Sequence, residues 1–138
     1  MAKQVIEAKI DALRRCTQRI EEKRPDSVEQ LISDLDLQDI LSVNLKRAVQ
    51  LYIDIGTHII SDMNIEAPKT MAETFVILQK QNILSKGTAE RMGKSVGFRN
   101  IAVHSYQKIN WEIVFNICHK NLSDFKNFTR EASSKLLK

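Results

Sequence analysis

The sequence predicts an all-α protein, an antiparallel bundle of four to five helices, and three observations carry that prediction. Its apolar residues recur at intervals of three and four, the spacing of one helix face rather than the alternation of a strand. Only four glycines and two prolines interrupt 138 residues, so long helices meet few breakers. With 43% apolar residues, a chain of this size can bury a core without disulfides or structural metals. Residues 1–138 are expected to form one domain.

The elements follow in order. Val5, Ile6, Ile10, Leu13, Cys16 and Ile20 make one stripe, and Pro25 marks its end. Ser27-Val28-Glu29-Gln30 reads as a capping box, followed by a short turn and a long second helix. Its stripe is Leu37, Leu41, Leu45, Ala48, Leu51, Tyr52, Ile55 and Ile59, ending near Asp62. Pro68 breaks the chain, and Thr70-Met71-Ala72-Glu73 is a second capping box opening a helix with Met71, Phe75 and Leu78. Ser85 or Thr88 caps a helix through Met92 and Val96, which Gly97 is expected to loosen or end. Asn110 caps the last helix, whose stripe is Trp111, Val114, Phe115, Cys118, Leu122, Phe125, Phe128 and Ala132. The Lys135–Lys138 end is expected to fray.

Composition excludes several classes. No apolar run approaches the roughly 20 residues of a membrane span, and the N-terminus lacks a signal-peptide core. Cys16 and Cys118 have neither zinc-site spacing nor disulfide density and read as thiols of a reducing compartment, so the expected location is the cytoplasm. No phosphate-cradling glycine loop or nucleophile elbow appears. Asp54 and His58 share a helix face, but a metal site needs a third ligand and none is apparent. His119 reads as a surface residue. No cofactor and no metal are expected. The net charge of +4 is a mild bias toward polyanions. It is concentrated between Lys86 and Lys108, where Lys86, Arg91, Lys94, Arg99 and Lys108 face only Glu90.

That cationic stretch holds the most informative segment, Arg99-Asn100-Ile101-Ala102-Val103-His104-Ser105-Tyr106. An arginine can grip a phosphate through a planar fork of donors, and a histidine can exchange a proton near neutrality. Together they suffice to cleave RNA without a metal. His104 would take the proton from the ribose 2′-OH or give one to the leaving 5′-oxygen, while Arg99 stabilises charge on the phosphate. On a regular helix five residues at about 100° each set Arg99 and His104 about 140° apart, whereas Asn100 and His104 share a face. A working pair therefore needs a helix end, an irregular turn or a second copy of the chain. One histidine cannot easily be acid and base together, which favours a two-fold dimer with both motifs across one cleft. Ile101, Ala102 and Val103 should pack the segment into the bundle. Asp36, Asp39, Asn44 and Asp54 form a polar stripe that either lines that cleft or is a solvated face.

The Arg-x4-His-x-Tyr pattern, with a polar residue directly after the arginine, resembles the HEPN nucleases and specifically the HepT family of toxin–antitoxin ribonucleases. The likeness extends through Leu37-Gln38-Asp39-Ile40, Asn44-Leu45-Lys46-Arg47-Ala48, Asp54-Ile55-Gly56-Thr57-His58-Ile59-Ile60, Pro68 and Val96-Gly97-Phe98-Arg99-Asn100. It covers the chain from the first helix to about Phe128. The resemblance implies a helical homodimer whose paired motifs form the RNase cleft, with Arg99 and His104 catalytic and Asn100 supporting. It also implies a partner, an MntA-type nucleotidyltransferase antitoxin that uses ATP to transfer AMP onto the motif tyrosine, here Tyr106. A second reading is a non-catalytic nucleotide-binding or adaptor subunit of such a nucleotidyltransferase.

Overall fold

A computed structural model describes residues 2–136, all of its regular structure helical. In chain order the helices are α1 (Ala2–Lys23), α2 (Val28–Ser33), α3 (Leu35–Asp62), α4 (Met71–Lys80), α5 (Lys86–His104), α6 (Trp111–Asn116) and α7 (Leu122–Leu136). A 3₁₀ turn, Tyr106–Lys108, follows α5, and a π turn, Ile117–Asn121, joins α6 to α7. Of the Lys135–Lys138 end expected to fray, the first two residues belong to α7 and the last two lie outside the described residues.

Local chemistry sets the helix starts. Ser27 Oγ accepts from Gln30 N–H at 3.2 Å, Thr70 Oγ1 from Glu73 N–H at 3.1 Å, and Ser85 Oγ from Thr88 N–H at 3.3 Å. Asn110 Oδ1 accepts from Glu112 N–H at 3.0 Å. Each satisfies a backbone donor left over in a first turn. The turn expected between Ser27 and the long helix is instead the six-residue α2, after which Asp34 caps α3 through Leu37 N–H at 3.0 Å. Asn64 (φ 59°) and Asn82 (φ 60°) follow α3 and α4 in the left-handed region, where asparagine is tolerated better than most side chains.

Helix α3 is central, touching α1, α2, α4, α5 and α6. The packing is antiparallel: Lys9 near the start of α1 reaches Asp54 near the end of α3, and along α5 Thr88 meets Glu131 and then Arg91 meets Asp124 of α7. The buried apolar residues form one cluster, with Tyr52, Phe75 and Phe128 at its aromatic centre. Two stripe members turn outward, since Val5 is 43% and Met71 37% exposed. Both lie in first turns, at the rim of the bundle. At Gly56 the helices α3 and α4 approach so closely that a Cβ would lie 2.6 Å from Thr74 Cγ2.

Gly97 does not end its helix. α5 runs unbroken to His104 because Met92, Val96 and Ala102 are buried on one side of it. That burial outweighs a glycine penalty of about 1 kcal/mol. The π turn has a similar cause in the side-chain pattern. Val114, Cys118 and Leu122 are buried at four-residue steps, which drift by about 40° each on an α-helix. The wider i→i+5 turn holds them nearer one face.

Candidate functional site

The segment 99–106 straddles the end of α5, so the irregularity that the motif needs follows the histidine rather than preceding the arginine. Arg99 is half-buried on the core side of the helix; its Nε is enclosed without a hydrogen-bond partner. Its Nη1 donates to Asn100 Oδ1 at 3.1 Å. Asn100 therefore steadies the guanidinium rather than the imidazole. His104, in the last helical position, stands exposed. Within one chain the two side chains leave a regular helix on diverging faces, about 140° apart.

Ser105 (φ −148°, ψ 54°) takes the chain out of the helix, although its N–H still donates to Ile101 O at 2.8 Å. The 3₁₀ turn that follows swings Tyr106 against the start of α3. There the phenol donates to Asp39 Oδ1 at 2.6 Å and accepts from Ser42 Oγ at 3.4 Å. Trp111 meets the ring edge-on with centroids 6.0 Å apart. Partial burial, then the Asp39 carboxylate as acceptor and as a negative charge, push the phenol above its ordinary pKa; the Ser42 hydrogen bond opposes them. Tyr106 remains 40% exposed. The other phenol, Tyr52, is fully buried.

Other expectations are redistributed. Of the polar stripe on α3, only Asp39 reaches the motif. Asn44 bonds back to Ile40 O at 2.8 Å, and Asp54 is held by Gln50 at 3.0 Å and Lys9 at 3.5 Å. His119 is exposed but bonded to the carbonyl of Pro25. No group of three His, Cys, Asp or Glu side chains capable of holding a metal is found among the described residues. No described helix is long and apolar enough to cross a membrane. Ala102 packs inward as expected, but Ile101 (42%) and Val103 (43%) are exposed, as is Ile113 (52%). Apolar surface therefore surrounds the motif. Lys86 pairs with Glu90 and Arg91 with Asp124, which leaves Lys94, Arg99 and Lys108 without an ion pair among the described residues. Lys94 and Lys108 line a groove of about 490 Å³ with Phe98, Ile101, Ile113 and Ile117.

Ser42 is the site residue that sequence reasoning did not single out, and Asp39 figures there only as one of four polar residues on α3, with no link to Tyr106. Their i,i+3 spacing places them on one face, but nothing local couples them to a tyrosine 67 and 64 residues away.

An all-helical bundle presenting an arginine, an imidazole and a phenol at one helix end has the make-up of a ribonuclease working by acid–base chemistry on a phosphodiester. The profile of the family described as Ribonuclease HepT-like matches residues 9–132, and the chain belongs to that family. It is 35% identical over 124 residues to the mRNA nuclease HepT of Shewanella oneidensis, covering 90% of this chain and 92% of the relative. It is 28% identical over 133 residues to the tRNA nuclease HepT of Aphanizomenon flos-aquae, covering 96% and 90%. A solved structure of the tri-AMPylated Shewanella oneidensis HEPN toxin in complex with MNT antitoxin superposes with a TM-score of 0.87 at 33% identity, covering 94% of this chain and 97% of that one.

Proposed function

We propose that this protein is the toxin of a toxin–antitoxin pair, a metal-independent endoribonuclease that a nucleotidyltransferase antitoxin silences by transferring AMP to Tyr106. The observation that carries the reading is the arrangement at the end of α5, where one short segment presents a cation, an imidazole and an accessible phenol. The family membership supports it, as do the nuclease relatives and the AMP-modified toxin of Shewanella oneidensis.

In the reaction, the ribose 2′-oxygen forms a bond to the adjacent phosphorus while the bond to the 5′-oxygen breaks. One His104 removes the 2′ proton and the second, from the dimer partner, protonates the departing oxygen. Arg99 holds the non-bridging oxygens as charge builds on them, and Asn100 fixes its guanidinium. The dimer is part of the proposal. Diverging Arg99 and His104 side chains favour it, as do the exposed Ile101, Val103 and Ile113, because apolar surface around a charged motif suits an interface. The free, buried thiols of Cys16 and Cys118 and the use of RNA and ATP fit the reducing cytoplasm.

The test is RNA cleavage by purified wild type, Arg99→Ala and His104→Ala, each with and without EDTA. Both variants should keep their helical signal and lose cleavage by 10²-fold or more, and chelation should leave the wild type unchanged. Turnover that stops with EDTA and returns with Mg²⁺ would exclude the metal-independent mechanism. A wild type that binds nucleotide but never cleaves RNA would favour an adaptor subunit instead.

A further inference from the structure

We infer that Asp39 is the proton acceptor for nucleotide transfer to Tyr106, so that the acceptor protein carries part of the machinery for its own modification. The inference rests on the proposal that Tyr106 receives the AMP.

The balance of the transfer shows why an acceptor is needed. Tyr106 Oη forms a bond to the α-phosphorus of ATP, the bond from that phosphorus to pyrophosphate breaks, and the phenolic proton must leave. A phenol is almost wholly protonated near neutrality and attacks poorly in that state. Here the phenol already donates its hydrogen bond to Asp39 Oδ1, with 2.6 Å between the oxygens, within the range for direct transfer. The contact is not a local accident of sequence, since it joins the start of α3 to the turn after α5.

The other contacts suit the same step. A phenolic oxygen has one hydrogen and two lone pairs. Asp39 takes the hydrogen and Ser42 Oγ occupies one lone pair at 3.4 Å, which leaves the other for phosphorus. Trp111 limits rotation of the ring. Asp39 and Tyr106 are both exposed, so a nucleotide held by the antitoxin can reach them without unfolding α3 or α5. At rest the carboxylate keeps the phenol neutral; the proton moves as the new bond forms. Afterwards a phosphodiester and a carboxylate stand side by side as like charges, which drives the nucleotide away from α3.

The experiment follows AMP addition by intact mass, using the full chain, its nucleotidyltransferase and Mg-ATP between pH 7.5 and 9. Asp34 and Asp36 at the start of α3, Arg99, His104 and Lys108 around the turn, and Glu112 beside Trp111 are the other charged or titratable groups close by in the sequence of these segments. Their contribution is common to variant and wild type. The ratio of variant to wild-type rate cancels the antitoxin's own pH dependence. Asp39→Asn keeps a hydrogen-bond acceptor but cannot take the proton, and should slow the first addition by roughly 10²–10⁴-fold. Its ratio should climb with pH as the phenol begins to ionise unaided, while Asp39→Glu should give a flat ratio whatever its rate. An addition whose acceptor is the first nucleotide rather than the phenol does not use Asp39 and should be unaffected. An Asp39→Asn chain modified within about threefold of wild type, or one slowed equally at every addition, would overturn the assignment, as would a rising ratio for Asp39→Glu. If the wild type takes AMP at a residue other than Tyr106, the proposed acceptor and this inference fall together. If Tyr106 is modified at full rate without the carboxylate, only the inference falls.

Discussion

A mixed dimer of wild type and His104→Ala separates a shared cleft from two independent sites. Arg99 and His104 leave α5 on faces about 140° apart, with Arg99 on the core side and His104 exposed. One chain therefore cannot close both groups on one phosphate while α5 keeps its form. In a two-fold dimer each phosphate meets two imidazoles, one as base and one as acid, and removing either should cost roughly 10²–10⁴-fold. Mixed dimers, purified through different tags on the two chains, should accordingly be almost as inactive as the double variant. In a random equal mixture only about one quarter of dimers retain both imidazoles, so activity should fall to about 25% and follow the square of the wild-type fraction. Independent sites give about half the wild-type rate in either format. The assay is the initial rate of cleavage of a labelled RNA. Half-active mixed dimers, or a catalytically competent monomer at nanomolar concentration, would refute the shared cleft.

Three further outcomes are expected. Tyr106→Phe should cleave RNA within a few-fold of wild type and inhibit growth even with the antitoxin present, with no AMP detected by intact mass; a silenced Tyr106→Phe bearing AMP elsewhere would contradict the acceptor assignment. Gly56→Ala should destabilise the fold, because its Cβ meets Thr74 Cγ2 at 2.6 Å and Leu78 Cδ1 at 3.0 Å. An overpacking cost of about 1–3 kcal/mol exceeds the roughly 1 kcal/mol gained in helix propensity, and an unchanged or higher urea midpoint would disprove the tight α3–α4 contact. Burial pushes the Cys118 thiol up to about 12. Below the ordinary thiol range both folded and unfolded chains hold the proton. As pH rises from about 9 toward 12 only the unfolded chain releases it, so stability is lost across that window, and Cys118→Ala should show a shallower alkaline decline in melting temperature.

Legibility in the sequence followed the range of each interaction. Ser27, Thr70, Ser85 and Asn110 could be read as caps because a cap is settled within four residues. The stripes of α1, α3 and α7 were legible for the same reason. α2 was not, since six residues give no full period and its identity depends on Leu31 being buried by distant elements. Gly97 misled because its propensity is local, whereas the burial of Met92, Val96 and Ala102 that overrides it is tertiary. Ile101 and Val103 misled in the opposite sense, being apolar and yet exposed. At the site, Arg99, His104 and Tyr106 announce themselves as a short pattern. Asp39 was legible only as a member of a polar stripe, and its bond to Tyr106, with Ser42 beside it, appears only when packing brings the start of α3 to the turn after α5.

Under the proposed regulation, the position of Tyr106 gives an attached AMP a direct way to obstruct the proposed cleft. The phenol lies two residues beyond His104, and the cations of this region without an ion pair among the described residues are Lys94, Arg99 and Lys108. RNA binding depends on such cations exchanging their counterions for phosphates. An AMP anchored on Tyr106 brings a phosphodiester that Asp39 repels and those cations attract, at an effective concentration in the millimolar range set by the short tether. Free RNA at micromolar levels competes poorly against it. One unit carries about one negative charge against three cations, so three units, the number in the tri-AMPylated Shewanella oneidensis toxin, would offset more of the binding surface than a single AMP. The same logic predicts that the proposed inhibition is tolerant of RNA sequence, because the anchored nucleotide competes for the backbone contacts that every substrate shares.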